Sequence, residues 1–215
     1  MAEDPRIIKN VYNTPKEVDA TPPPDSPEAH PLASILDARS GLIMPTERMF
    51  LYGVLQSLPH RYVRAVEIGT WRGTTMQMMR HICDELYCID PILQWIPDPS
   101  IVTRSSRPVQ LIQDRSPAAL AQITGNFTFV FVDGDHTGEG VYADAMALET
   151  RMEPWGVIAF HDGNHPPVRE ALFRASNDWK RPHRFVHLAC DTISQTPEGI
   201  YGGISLIIVD TNPIA

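Results

Sequence analysis

The chain has 215 residues, with 18 Lys and Arg against 26 Asp and Glu, a net charge of -8 and no basic block. That length accommodates one α/β domain with a sizeable core and is short for two. An acidic chain without clustered Lys and Arg argues against a nucleic-acid partner.

Cys83, Cys88 and Cys190 make an odd count with no CxxC pair, which is the usage of reduced thiols in a cytoplasmic protein. The first residues carry no apolar signal region, and no apolar run reaches the length of a membrane span. Residues 1–32 are rich in proline and acids, as in TPPPDSPEAHP, and read as a flexible or extended arm. Residues 33–215 read as the folded domain.

In chain order, Met44 to Pro59 has helical apolar spacing, with Thr46 as the expected N-cap and Pro59 as the stop. RAVEIG is a short buried strand, Thr74 to Cys83 a helix, and Glu85 to Asp90 a second strand. Pro91 to Ser105 is irregular and broken by prolines. A third strand is expected at Val109 to Asp114. A helix follows, with Ser116 as cap and Pro117 at its first position. FTFVFVD, Phe127 to Asp133, is continuously apolar and so reads as a central strand buried on both faces. A helix, a fifth strand at Gly156 to Asp162, another helix and two closing strands, RFVHLAC and GISLIIVD, complete the pattern. The last two are expected to form a hairpin.

Strands alternating with helices predict an α/β fold: a Rossmann-like, mostly parallel seven-stranded sheet with helices on both faces and an antiparallel strand near the C-terminus. Such sheets bind ligands beyond the carboxyl ends of their strands. Gly69, Asp90, Asp114, Asp133, His161 and Asp162 all fall at such ends.

The first of these turns, EIGTWRG, lacks the G-x-G-x-x-G spacing of a dinucleotide site, which argues against a nicotinamide-dependent oxidoreductase. Gly69 and Gly73, on either side of Thr70, still allow a tight turn and close approach of a ligand. Glu67 would repel phosphate but suits a cation, and S-adenosylmethionine carries a sulfonium and an ammonium. Asp90 is spaced to hold ribose hydroxyls. FVDGDH and HDGNH bring Asp133 and His136 beside His161 and Asp162, on strands about 4.8 Å apart if adjacent. Two carboxylates suit Mg²⁺, whereas a histidine ligand favours a softer ion such as Mn²⁺, Fe²⁺ or Zn²⁺. A metal there would lower the pKa of a substrate hydroxyl, with His136 as general base.

VEIGTWRGTT, the CID at Cys88 to Asp90, FVFVDGDHTGEGVYAD and PWGVIAFHD together resemble a class I S-adenosylmethionine-dependent methyltransferase. More narrowly, they resemble the branch of the macrocin and mycinamicin sugar O-methyltransferases and the proteins labelled cephalosporin hydroxylase. The resemblance implies that Glu67, Gly69, Thr70 and Gly73 surround the methionine part of S-adenosyl-L-methionine and that Asp90 holds the ribose. It implies that Asp114 lies near the adenine with Arg115 and Ser116 beside it, and that Asp133 borders the cofactor. It further implies catalysis by Asp133 and His136 and a divalent metal held by Asp133, His161 and Asp162. The acceptor would be a small-molecule hydroxyl, on a sugar or another polar natural product. His161 departs from the pattern, since the branch's metal-binding members place an acid there. Relatives are often homo-oligomers. A non-catalytic cofactor-binding or scaffolding protein and a metal-dependent hydrolase stay open as alternatives.

Overall fold

The structure is a computed structural model and describes residues 42–95 and 109–210. The expected arm at 1–32 and most of the proline-broken segment after Pro91 lie outside the described residues. A first helix, α1 (Pro45–Ser57), leads into β1 (Arg64–Ile68), α2 (Thr74–Met79) and β2 (Glu85–Ile89). After a 3₁₀ turn at Leu93–Trp95 come β3 (Val109–Ile112), α3 (Ala118–Gln122), β4 (Phe127–Val132), α4 (Gly138–Leu148) and β5 (Met152–Phe160). The chain closes with α5 (Pro166–Asp178), β6 (His183–Cys190), the short strands β7 (Ser194–Thr196) and β8 (Gly199–Tyr201), and β9 (Ile204–Val209).

Seven strands form one sheet in the order β3-β2-β1-β4-β5-β9-β6. β9 runs antiparallel to both of its neighbours, and the pairings among β1 to β5 are parallel. The α/β, mostly parallel seven-stranded architecture is therefore as the sequence predicts. β6 and β9 pair as the expected hairpin. Their connection also holds a small two-stranded sheet, β7 with β8.

The apolar strands explain the layers. β4 is buried at every position, and its side chains feed both core layers. On one face Val130 and Val132 pack with α4 and α5 through Val141, Ala145, Leu172 and Ala175. On the other, Phe129 and Phe131 meet Leu51 and Leu55 of α1 and Met76 and Met79 of α2. Burying a Phe or Leu side chain contributes roughly 1.5–3 kcal/mol, so these two layers dominate the stability of the sheet.

Two helix starts differ from expectation. The N-cap of α1 is Met44, not Thr46, because the Glu47 carboxylate turns back to accept from the Met44 N–H at 2.8 Å. The N-cap of α3 is Pro117, and the Ser116 hydroxyl donates to Asp144 instead of capping.

Register decides where the site lies. Ile68 pairs with Ile89 and with Val132; Ile89 pairs with Ile112; Val132 pairs with Phe160. These residues form one row across five strands, so Gly69, Asp90, Asp133 and His161 emerge side by side along one edge. The strand order reverses between β1 and β4, the place where an open α/β sheet leaves a crevice.

Candidate cofactor and acceptor site

A cavity of about 560 Å³ opens at this edge, within the range of small-molecule sites. Its wall includes Glu67, Gly69 and Thr70 from the end of β1, Asp90 from β2, and Asp114, Arg115 and Ser116 from beyond β3. Asp133 and His136, beyond β4, border it as well. Gly73 is not in the wall; it shapes the turn, at φ +74°, with its N–H on the Thr70 carbonyl at 2.7 Å.

The β1 turn is built by close backbone contact. Gly69 sits at φ +87° and donates its N–H to the Ile89 carbonyl at 2.9 Å. A Cβ there would lie 1.9 Å from the Asp133 carbonyl oxygen, so only glycine lets the β1 and β4 loops meet. Asp90 ties the turn to β2: its two carboxylate oxygens accept from the Trp71 and Ile92 N–H groups, each at 2.7 Å. Trp71 is partly exposed at the cavity mouth, with the Arg72 guanidinium over its ring.

Glu67 is 1 % exposed, and its Oε2 has no hydrogen-bond partner. Burial pushes its pKa up to about 8. The neighbouring Thr70 hydroxyl and Cys88 thiol oppose that rise without satisfying Oε2, and the charges of Asp133 and Asp90 add to it. An unpaired buried carboxyl in a cavity wall is costly unless a ligand completes it. A ligand group that donates a hydrogen bond or carries positive charge would complete it.

Beyond β4 and β5, two histidines and three acids interlock. His161 is buried, with Nδ1 on Asp133 Oδ1 at 3.0 Å and Nε2 on Glu47 Oε2 at 3.1 Å. Burial opposes its charge, but Asp133, Asp162 and Glu47 together hold its pKa well above the usual value, so it is a doubly donating imidazolium. Glu47, 0 % exposed, also accepts from the Gly203 N–H at 2.8 Å and from the Thr192 hydroxyl. Burial would raise the Glu47 pKa, but His161, Thr192 and Met44 bring it below the ordinary range. Asp162, in the left-handed region at φ 56°, accepts from the Gly202 N–H at 2.6 Å. Burial would raise the Asp162 carboxyl too, but His136, His161 and this N–H hold it well below the usual value.

His136 is the open member of the cluster, with its side chain 39 % exposed. Its Nε2 lies 3.0 Å from Asp162 Oδ2 and 3.4 Å from Asp133 Oδ1. Hydrogen bonds to Asp133 and Asp162 raise its pKa to about 10 against the effect of burial. It therefore carries a proton at neutral pH in this arrangement.

Among the described residues, the group with ligand atoms close enough for one cation is Asp133, His136 and Asp162, all within 4.8 Å of one another. The expected trio of Asp133, His161 and Asp162 is altered at His161, because both of its ring nitrogens already face carboxylates. The structural reason is Glu47, which the sequence reading did not single out. Its one signal is an acid at the third position of a helix, where it can reach the residue before the helix.

The sheet order and the reversed last strand give a fold shared with solved methyltransferase structures. Residues 66–163 match the family described as a methyltransferase domain. An O-methyltransferase from Bacillus cereus, solved with S-adenosylhomocysteine, is similar at TM-score 0.60 and 17% identity, over 83% of this chain and 86% of its own. The O-methyltransferase TomG from Streptomyces achromogenes, involved in tomaymycin synthesis and solved with S-adenosylmethionine, is similar at TM-score 0.61 and 16% identity, over 83% and 87%. An rRNA methylase from Streptococcus thermophilus is similar at TM-score 0.56 and 11% identity, over 76% and 95%. At these identities the likeness is one of fold. No curated protein matches the sequence. Among the described residues, no helix is long and apolar enough to cross a membrane.

Proposed function

We propose that the protein is an S-adenosylmethionine-dependent O-methyltransferase acting on a hydroxyl of a sugar or another small polar natural product. The observation that carries this reading is the unpaired Glu67 carboxyl in the wall of the same cavity as Asp90. Glu67 would meet the cationic methionine part, and Asp90 keeps lone pairs for ribose hydroxyls beside its two backbone bonds. The names of the Bacillus and Streptomyces neighbours favour oxygen as the acceptor atom.

Bound there, S-adenosylmethionine supplies an electrophilic methyl group. Its transfer to an acceptor hydroxyl would leave a proton for a residue of this site to take. Asp133 and Asp162 offer oxygen donors suited to a hard divalent cation, which would lower the pKa of that hydroxyl. His136 Nε2 faces both carboxylates, so it serves a cation or a substrate proton but not both. We assign it to the substrate proton, a role it takes once its own proton has left.

Transfer of a labelled methyl group from S-adenosylmethionine to a panel of glycosides, with Mn²⁺ or with EDTA, tests the reading. Asp133→Asn is expected to abolish turnover and Mn²⁺ binding, while S-adenosylhomocysteine affinity stays within about threefold of wild type, a change under ~0.7 kcal/mol. A parallel loss of S-adenosylhomocysteine affinity would instead place Asp133 on the cofactor.

A further inference from the structure

The sheet order gives a direction to the acceptor. A cofactor with its methionine part at Glu67, on β1, and its ribose at Asp90, beyond β2, runs from the middle of the sheet toward β3. The acceptor must then lie on the other side, over β5 and β9. The hairpin of β7 and β8, inserted between β6 and β9, stands there. Its last residue, Tyr201, makes a T-shaped contact with His136, ring centroids 6.2 Å apart. His136 borders the cavity and Tyr201 does not, so His136 is the residue that cavity and hairpin share.

Tyr201 is held from two directions. At the base of the hairpin the Gly202 and Gly203 N–H groups donate to Asp162 and Glu47. The N–H groups of Gly163 and Asn164 donate to the Gly203 and Gly202 carbonyls, each at 3.0 Å, and Asn164 Nδ2 donates to the Thr192 carbonyl at 2.6 Å. Behind the ring, the His165 imidazole lies parallel to it at 4.4 Å and 10°. His165 Nδ1 is buried without a hydrogen-bond partner, so stacking on Tyr201, not a bond at that nitrogen, holds the imidazole. The Tyr201 hydroxyl makes no hydrogen bond among the described residues. A fixed aromatic ring with a free hydroxyl offers a ligand an apolar surface and one polar contact together. A pyranose, with C–H groups on its ring and hydroxyls around it, uses both.

We infer that Tyr201, backed by His165, is a specificity-determining residue for the acceptor: its hydroxyl holds a second hydroxyl of a pyranose while the first faces His136. This rests on the S-adenosylmethionine-dependent O-methyltransferase reading above. A site that hydrogen-bonds one group discriminates against a ligand that leaves that bond unmade.

The test is ligand-observed NMR titration of the full chain, saturated with S-adenosylhomocysteine, with the methyl glycosides of glucose, galactose and rhamnose and with catechol. At least one glycoside is expected to bind wild type more tightly than catechol does. Tyr201→Phe keeps the ring and should weaken that glycoside by about threefold to tenfold, the loss of one hydrogen bond. Tyr201→Ala should weaken it further, and His165→Ala should fall between wild type and Tyr201→Ala. All three variants should hold S-adenosylhomocysteine within about twofold of wild type. A glycoside affinity that Tyr201→Phe leaves unchanged, or a parallel loss of S-adenosylhomocysteine, would overturn the assignment. So would catechol binding more tightly than every glycoside, or a wild type that binds S-adenosylhomocysteine and no glycoside. Failure of wild type to bind S-adenosylhomocysteine would overturn the cofactor reading itself, and the role of Tyr201 with it.

Discussion

His161→Leu is expected to cost about 3–5 kcal/mol of unfolding free energy at pH 7.5 in EDTA, the usual penalty for stranding one side of a buried ion pair. The leucine leaves Glu47, 0 % exposed, without its counter-charge and removes the link to Asp133. The pH dependence follows from the directions of the shifts. In wild type, Glu47, Asp133 and Asp162 lie below their ordinary values although burial alone would raise them. Their contribution is therefore present above the unfolded carboxylate range and is lost as pH falls through their folded values. His161 is raised, so its contribution is complete below its unfolded value and is lost as pH rises through its folded value. Without the imidazolium, the buried Glu47 carboxyl takes up a proton more readily than in the unfolded chain. Below about pH 6, where the His161 contribution is already complete, the deficit of the variant should then shrink as pH falls further toward 5. Urea unfolding followed by tryptophan fluorescence measures it. A loss below ~1 kcal/mol, typical of an exposed pair, or a deficit that still grows with acid below about pH 6 would contradict this account of the cluster.

Gly69→Ala is expected to be at least as damaging, and to act through the backbone. The left-handed conformation alone costs a non-glycine residue about 1–2 kcal/mol. The added Cβ would stand 1.9 Å from the Asp133 carbonyl oxygen and 2.4 Å from its carbon, so the β1 and β4 loops must separate. That separation moves Asp133 away from His161 and His136 and opens the wall beside Glu67. The variant should show a lower urea midpoint and no detectable S-adenosylhomocysteine binding. Wild-type stability and affinity would mean that the two loops do not need this contact.

The sheet was legible because its signals are local. The unbroken apolar run of β4 marks a strand covered on both faces, and β2, β4 and β5 each carry a polar residue, Asp90, Asp133 and His161, one step beyond the last apolar one. Since Ile68, Ile89 and Val132 are level in the sheet, a pattern visible strand by strand becomes one edge in space. What stayed hidden depends on contacts between distant residues. Glu47 reads as an ordinary first-turn acid of a surface helix, yet its carboxylate meets His161 and Gly203, far along the chain. Ser116 has the sequence of a helix cap, and its hydroxyl goes to Asp144. Asp144 itself sits on a helix face otherwise filled by Val141, Ala145 and Leu148, where an isolated acid gives no hint of the cavity beside it. The exchange of Thr46 for Met44 as the cap of α1 follows from the same Glu47 carboxylate.

The most direct measurement is calorimetric titration with S-adenosylmethionine at pH 7, in two buffers of different ionisation enthalpy, for wild type and Glu67→Gln. With a pKa of about 8, Glu67 is largely protonated at that pH. A cation placed against it lowers that pKa, so binding should release close to a full proton, and affinity should rise as pH climbs toward 8. The account predicts binding in the micromolar range with proton release, and for Glu67→Gln weaker binding with none. Absence of binding, or binding with no proton release and no effect of Glu67→Gln, would contradict it.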